Sequence, residues 1–232
     1  MTTSQNDNTA PLEPLRKETG LARRSGFLAR RVRELAQQVR ELDLGDDVEV
    51  VFPDKNLEGA VREALEKPEG PLTKRDIKRL KRLKGRRVDR GRGRYRKIKD
   101  LTGLENATNL AWLELGENQI SDANPLAYLS NLRWLFLGRN HISDVSPLAL
   151  LTKLTRLGLS NNHVNDVSPL VSLSSLTVLN LTSNDVNDVN PLTSLNNLRH
   201  LYLNDNPLSR DSKYRHIPKL KEKGVDVRHR WT

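Results

Sequence analysis

The chain contains no cysteine in 232 residues, which excludes disulfide-stapled caps, zinc-ribbon sites and a thiol nucleophile. Aromatic side chains are scarce at 4%, so the interior has to be built from aliphatic ones. No apolar run approaches the ~20 residues of a membrane-spanning helix. The opening MTTSQNDNTAPLEPLRKETG is polar throughout and lacks the charged-then-apolar order of a signal peptide. That reading places the protein in the cytoplasm. Recognisable catalytic groupings are missing too: there is no Ser-His-Asp spacing, no glycine loop opening a helix after a strand, and no paired carboxylates. The expectation is a protein that is not an enzyme and takes no cofactor.

What is present is a repeat. The stretches LAWLELGENQISDANPLAYLSN (110–131), LRWLFLGRNHISDVSPLALLTK (132–153), LTRLGLSNNHVNDVSPLVSLSS (154–175) and LTVLNLTSNDVNDVNPLTSLNN (176–197) align without a gap at a period of 22. Leu recurs at 110, 132, 154, 176 and 198, and Asn at 118, 140, 162, 184 and 206. Asp recurs at 122, 144, 166 and 188, and Pro at 125, 147, 169 and 191. This is the leucine-rich-repeat pattern L-x-x-L-x-L-x-x-N, one short strand and one helical return per turn. It predicts an α/β right-handed solenoid, with a parallel sheet on its concave face and short 3₁₀ or helical returns behind. Stacked Leu, Ile and Val columns supply the core, because each turn contacts only its neighbours.

Within each unit the Asn should hydrogen-bond the backbone of the following turn. Asn124-Pro125, Ser146-Pro147, Ser168-Pro169 and Asn190-Pro191 read as N-cap residues with Pro at the first helical position. The Asp column invites a calcium reading, but an Asp just before such a turn is more economically a backbone cap. His141 and His163 share a column, yet no third ligand beyond Asp185 falls in register, so a metal site is not expected.

The flanks divide as a disordered tail 1–19, an amphipathic helix 20–45, a helical N-terminal cap 46–83, an Arg/Gly-rich loop 84–97, the solenoid 98–208 and a C-terminal cap 209–232. Leu21, Leu28, Val32, Leu35, Val39 and Leu42 make a narrow apolar seam. It suits packing on the cap, a homodimer or a partner helix. VEVVFP reads as a short strand, followed by a helix from about Lys55 to Glu66 with Asp54 as N-cap. A third helix starts at the Thr73–Asp76 capping box and runs through Leu83. In the tail, HIPKLKEKGVDVRHRW supplies a helix, a glycine stop and a last strand.

Charge is concentrated. Between Lys74 and Lys97 stand fourteen Lys and Arg against Asp76 and Asp89, a local net of +12 in a chain of net +10. Arg86, Arg87, Arg90, Arg92, Arg94, Tyr95 and Arg96 are candidate nucleic-acid contacts, since Arg forks onto phosphate and Tyr stacks on bases. The same segment suits an acidic protein or membrane surface, the chain's own acids, or plain solvent.

Side chains alternate along a strand, so the positions flanking the second Leu of each unit face outward. That makes Trp112, Glu114, Glu117, Arg133, Trp134, Phe136, Arg139, Arg156, His200 and Tyr202 the candidate partner-binding residues. Trp112, Trp134 and Phe136 should form an exposed aromatic patch suited to another protein.

The unit L-x-x-L-x-L-x-x-N-x-I-S-D-v-S-P-L-x-x-L-x-x resembles the 22-residue class of bacterial internalins and of the regulatory subunit of eukaryotic protein phosphatase-1. VVFPDKNLEGAVREALEKPEGPLTKRDI resembles the helical N-terminal unit of a bacterial branch, KIKDLTGLENATNL its entry repeat, and NPLSRDSKYRHIPKLKEKGVDV its closing unit. The resemblance covers about residues 50–228. It implies a right-handed solenoid that binds other macromolecules on its concave sheet, without catalysis or cofactor. Relatives of this kind usually carry a secretion signal and a short, ordinary stretch before the entry repeat, and this chain differs in both.

Overall fold

The computed structural model describes residues 45–85 and 97–229. The expected tail, the seam helix of residues 21–42 and the candidate contacts Arg86, Arg87, Arg90, Arg92, Arg94, Tyr95 and Arg96 all lie outside the described residues.

Seven three-residue strands form one parallel sheet in strict chain order: β1 (Arg82–Lys84), β2 (Trp112–Glu114), β3 (Trp134–Phe136), β4 (Arg156–Gly158), β5 (Val178–Asn180), β6 (His200–Tyr202) and β7 (Asp226–Arg228). Registers are exact in the repeat sense, with Leu83, Leu113, Leu135, Leu157, Leu179, Leu201 and Val227 opposite one another. All seven are buried. This is the leucine-rich-repeat solenoid that the 22-residue period predicts.

Behind the sheet the chain returns through 3₁₀ turns at Leu104–Asn106, Asn124–Tyr128, Ser146–Leu150, Ser168–Ser172 and Asn190–Ser194. Here the structure corrects one detail of the sequence reading. Asn124, Ser146, Ser168 and Asn190 are the first residues of their turns and make no side-chain cap; Pro takes the second place. The cap comes from the Asp two residues earlier. Asp122, Asp144, Asp166 and Asp188 each accept the N–H of that first residue at 2.8 Å. A side chain two positions upstream reaches the amide as an Asx turn.

The Asn column is the internal spine. Asn118, Asn140, Asn162, Asn184 and Asn206 are buried. Their Oδ1 atoms accept the N–H of Ile98, Ile120, Ile142, Val164 and Val186. Each Nδ2 donates to a carbonyl of its own turn and one of the turn before, as Asn162 does to Leu159 and Leu137. A buried amide is tolerated only when its bonds are made, and these bonds run between turns.

The N-terminal end is closed by α1 (Lys55–Leu65) and α2 (Lys74–Lys78). Asp54 caps α1 through the Asn56 and Leu57 amides with one oxygen, and holds the Lys99 and Asp100 amides with the other. Burial pulls its pKa upward, but these four donors outweigh that and leave it below the usual carboxylate value. One carboxylate thus ties the cap to the solenoid's entry. VEVVFP makes only a single antiparallel bridge, Glu49 to Thr73.

The larger correction concerns the segment after α2. The helix ends at Lys78, not Leu83, and Arg82–Lys84 is the first strand of the sheet, paired parallel with β2. The capping box at Thr73 forms, but one turn of helix is all that precedes a return to the repeat geometry. Leu80 and Leu83, both buried, are the L-x-x-L of an incomplete unit. Its third Leu position is Gly85, where a Cβ would lie 2.3 Å from a Leu115 methyl carbon; Leu115 fills the place of the missing side chain. At the far end a π-helical turn (Ser212–His216), α3 (Ile217–Glu222) and β7 cover the last repeat with Ile217, Leu220, Val225 and Val227. Core residues from cap to cap form one continuous cluster.

Candidate functional site

Because the middle residue of every strand points inward, the first and third point out, and the registers turn them into two rows. The first row reads Arg82, Trp112, Trp134, Arg156, Val178, His200, Asp226; the second reads Lys84, Glu114, Phe136, Gly158, Asn180, Tyr202, Arg228. Trp112 and Trp134 are direct lateral neighbours, about 4.8 Å apart along the sheet, with Phe136 beside them. Trp134 is 40% exposed, one of few large apolar side chains so open.

The aromatics are not bare. The Arg82 guanidinium lies over the Trp112 ring at 4.8 Å, and that of Arg156 over Trp134 at 5.3 Å. Further along, Arg228 covers Tyr202 at 5.5 Å. The first row therefore holds two tryptophans flanked by two stacked guanidiniums. Sequence reading missed Arg82 and Arg228: the first was hidden in a run of bases assigned to a helix, although Leu80-x-x-Leu83 marked the strand.

In the second row, Phe136 leans over the backbone of Gly158, where a Cβ would come within 3.0 Å of its ring. The missing side chain leaves a groove of about 650 Å³ in mid-face, whose lining includes Glu114, Phe136, Arg139, Arg156, Asn180 and Tyr202. Lys84 pairs with Glu114 at 3.5 Å, and Arg139 with Glu117 at 3.2 Å. Both Glu117 and Arg139 sit just past their strands in left-handed backbone conformation (φ 62° and 59°). His200 stands 3.4 Å from Asp226. Arg133 is exposed but precedes its strand by one residue and lies outside both rows and the groove lining. The sheet thus gathers nine of the ten expected residues on or beside one face.

Part of the described basic segment is paired with acids. Lys78 pairs with Asp46, Arg75 with Asp47, and Lys67 from the preceding loop with Asp76. Lys78, the hydrogen-bond donor to Asp46, holds that carboxyl below its usual pKa. His141 and His163 stack with ring centroids 6.3 Å apart, and Asp185 lies 3.7 Å from His163. Among the described residues no group of three or more His, Asp and Glu could hold a metal ion, and no helix is long and apolar enough to cross a membrane.

With the geometry in hand, the comparisons are specific. A family model for leucine-rich repeats in two copies matches residues 130–172 and 152–195. An internalin (inlF) of Listeria monocytogenes is 29% identical over 79% of this chain, with a TM-score of 0.58. The chain is a leucine-rich-repeat protein that resembles bacterial internalins. A leucine-rich-repeat protein of Leptospira interrogans aligns over 81% of the internalin-like chain at 25% identity and a TM-score of 0.57. The chain spans 57% of the length of the Listeria internalin and 42% of the Leptospira protein. Among curated proteins no sequence matches. Leucine-rich-repeat proteins commonly act through protein–protein interaction and typically without catalysis. Neither a nucleic-acid role for residues 74–97 nor a dimer through 21–42 gains support from these relatives.

Proposed function

We propose that this internalin-like protein is a non-enzymatic scaffold that binds another protein on its concave sheet. The observation behind the reading is the aromatic row. Trp112 and Trp134 stand side by side on rigid strands, with Phe136 adjacent and Trp134 40% exposed. Trp and Arg are enriched among the few residues that carry most of the energy at protein interfaces. Glu114, Glu117, Arg139 and Arg156 around the aromatics would set specificity, with His200 and Tyr202 extending the surface.

The test is affinity capture from native lysate, in nuclease-treated and untreated halves, using wild type and the Trp134→Ala/Phe136→Ala variant. A protein retained after nuclease and lost from the variant, while the variant's circular dichroism and melting stay unchanged, supports the reading. Equal retention by the folded variant would sink the site. A catch that disappears with nuclease would move function to the basic segment.

A further inference from the structure

The charge pattern of this face specifies its partner more closely. Arg82 and Arg156 are each stacked on a tryptophan, and among the described residues neither has a carboxylate within ion-pair range. Lys84, Arg139 and Arg228, by contrast, are paired with Glu114, Glu117 and Asp226. Stacking occupies the flat face of a guanidinium. Its N–H donors lie in the plane and stay available to an oxyanion in fork geometry. Arg156 also lines the groove opened by Gly158, between Phe136 and Tyr202. A charge-assisted donor thus stands at the rim of a semi-apolar depression.

We infer that the groove takes an extended segment of a partner protein, a single carboxylate of which engages Arg156 while an adjacent apolar side chain enters the depression beside Phe136. A polyanion such as nucleic acid is disfavoured, because Glu114 and Glu117 line the same groove and would repel a chain carrying charge at every residue. A single carboxylate with apolar neighbours, held at Arg156, meets far less of that repulsion. The volume of about 650 Å³ falls within the range that encloses a compact ligand group. This inference rests on the concave-face reading above and adds the chemistry of the occupant.

The experiment is selection of a phage-displayed random dodecamer library on the immobilised full chain, followed by fluorescence anisotropy with the best peptide. Enriched sequences should carry Asp or Glu next to an aliphatic or aromatic residue. The peptide should bind Arg156→Gln at least about tenfold more weakly, the scale of losing one charged partner. Replacing its acid by the amide should cost wild type the same factor and cost Arg156→Gln nothing further. No enrichment of acidic residues, no enriched sequence at all, or equal affinity for wild type and Arg156→Gln would overturn the inference. Two of its failures separate from one another. Acid-free peptides that still depend on Trp134 and Phe136 would leave the concave-face reading standing and remove only the carboxylate. Peptides indifferent to Trp134→Ala/Phe136→Ala would remove both. A labelled oligothymidylate that binds wild type and is lost with Arg156→Gln, where peptides are not, would overturn the choice of a protein partner.

Discussion

The asparagine spine makes the sharpest stability prediction. Asn162 is 5% exposed. It accepts the Ile142 amide at 2.9 Å and donates to the Leu137 and Leu159 carbonyls at 3.0 Å each. Asn162→Ala leaves the Ile142 N–H buried without its partner, at about 1–3 kcal/mol, and removes two bonds worth about 0.5–1.5 kcal/mol each. The expected loss is about 2–6 kcal/mol, a large share of the ~5–15 kcal/mol that stabilises a typical fold. The control is Asp166→Ala. Asp166 caps one turn amide at 2.8 Å from an exposed position, where water can substitute, and should cost about 1 kcal/mol or less. Urea unfolding followed by circular dichroism measures both. A water entering the space left by alanine would soften the loss, so Asn162→Leu, which excludes it, should be at least as damaging. Equal losses for Asn162→Ala and Asp166→Ala, or a loss under about 1 kcal/mol for Asn162→Leu, would refute the view that the amides hold the turns together.

Two further outcomes follow from the N-terminal end. Leu83→Ala should cost about 2–5 kcal/mol by urea unfolding, as for a core leucine, because Leu83 is 1% exposed in a strand of the sheet; a surface-like loss of a few tenths would return Arg82–Lys84 to the cap. Asp76 has its pKa lowered from 3.8 to about 2, first by Lys67 and then by the Thr73 amide and hydroxyl. The folded state therefore binds its proton more weakly than the unfolded chain. The resulting stability, at most about 2 kcal/mol because Lys67 is a third exposed, is present above pH 4 and lost as pH falls toward 2. Unfolding of Asp76→Asn should be correspondingly less pH-dependent across that window, and an identical slope to wild type would remove the assignment.

What the sequence made legible is what repeats. A period of 22 fixes the spacing of Leu, Asn, Asp and Pro, and a solenoid with one strand per turn is nearly the only way to bury those columns together. The alternation rule then placed Trp112, Trp134 and Phe136 outward correctly. Legibility failed where a unit lost its markers. In the unit holding Arg82–Lys84 the third Leu is replaced by Gly85, and its surroundings are mostly Lys and Arg, so a charged helical face was read over a strand. The Leu80-x-x-Leu83 spacing was present but too short to outweigh the capping box upstream. The returns were misassigned by one residue for a different reason. Ser-Pro looks like a cap and a first helical position, yet the side-chain cap comes from the Asp two residues earlier, which accepts the amide of the Ser or Asn itself. Cation–π pairs such as Arg82 on Trp112 arise between strands thirty positions apart, which no local pattern reveals.

The same contrast between repeating and non-repeating columns argues for where function resides. Leu, Asn and Asp recur from turn to turn, and each has found its partner inside the molecule: the apolar cluster, the amides of neighbouring turns, the first amide of a return. The buried Leu and Asn columns have no binding capacity left over. Apart from the Trp112–Trp134 pair, the two outward rows do not repeat from turn to turn. They run from Arg82 and Trp112 through Gly158 to Tyr202 and Arg228, and their stacked guanidiniums and the groove between Phe136 and Tyr202 are the places where intramolecular satisfaction stops short. A sheet whose core columns vary little can change its outward residues freely, since the middle residue of each strand is already buried. Moving the Trp112–Trp134 pair two turns along, to positions 156 and 178, should therefore leave urea stability within about 1 kcal/mol of wild type, as for changes outside the core. It should also abolish peptide binding, because the aromatics would then sit over the groove instead of beside it and the Arg156 guanidinium would be gone. Retained binding with the pair displaced would mean that contact energy lies elsewhere than in the arrangement of these rows.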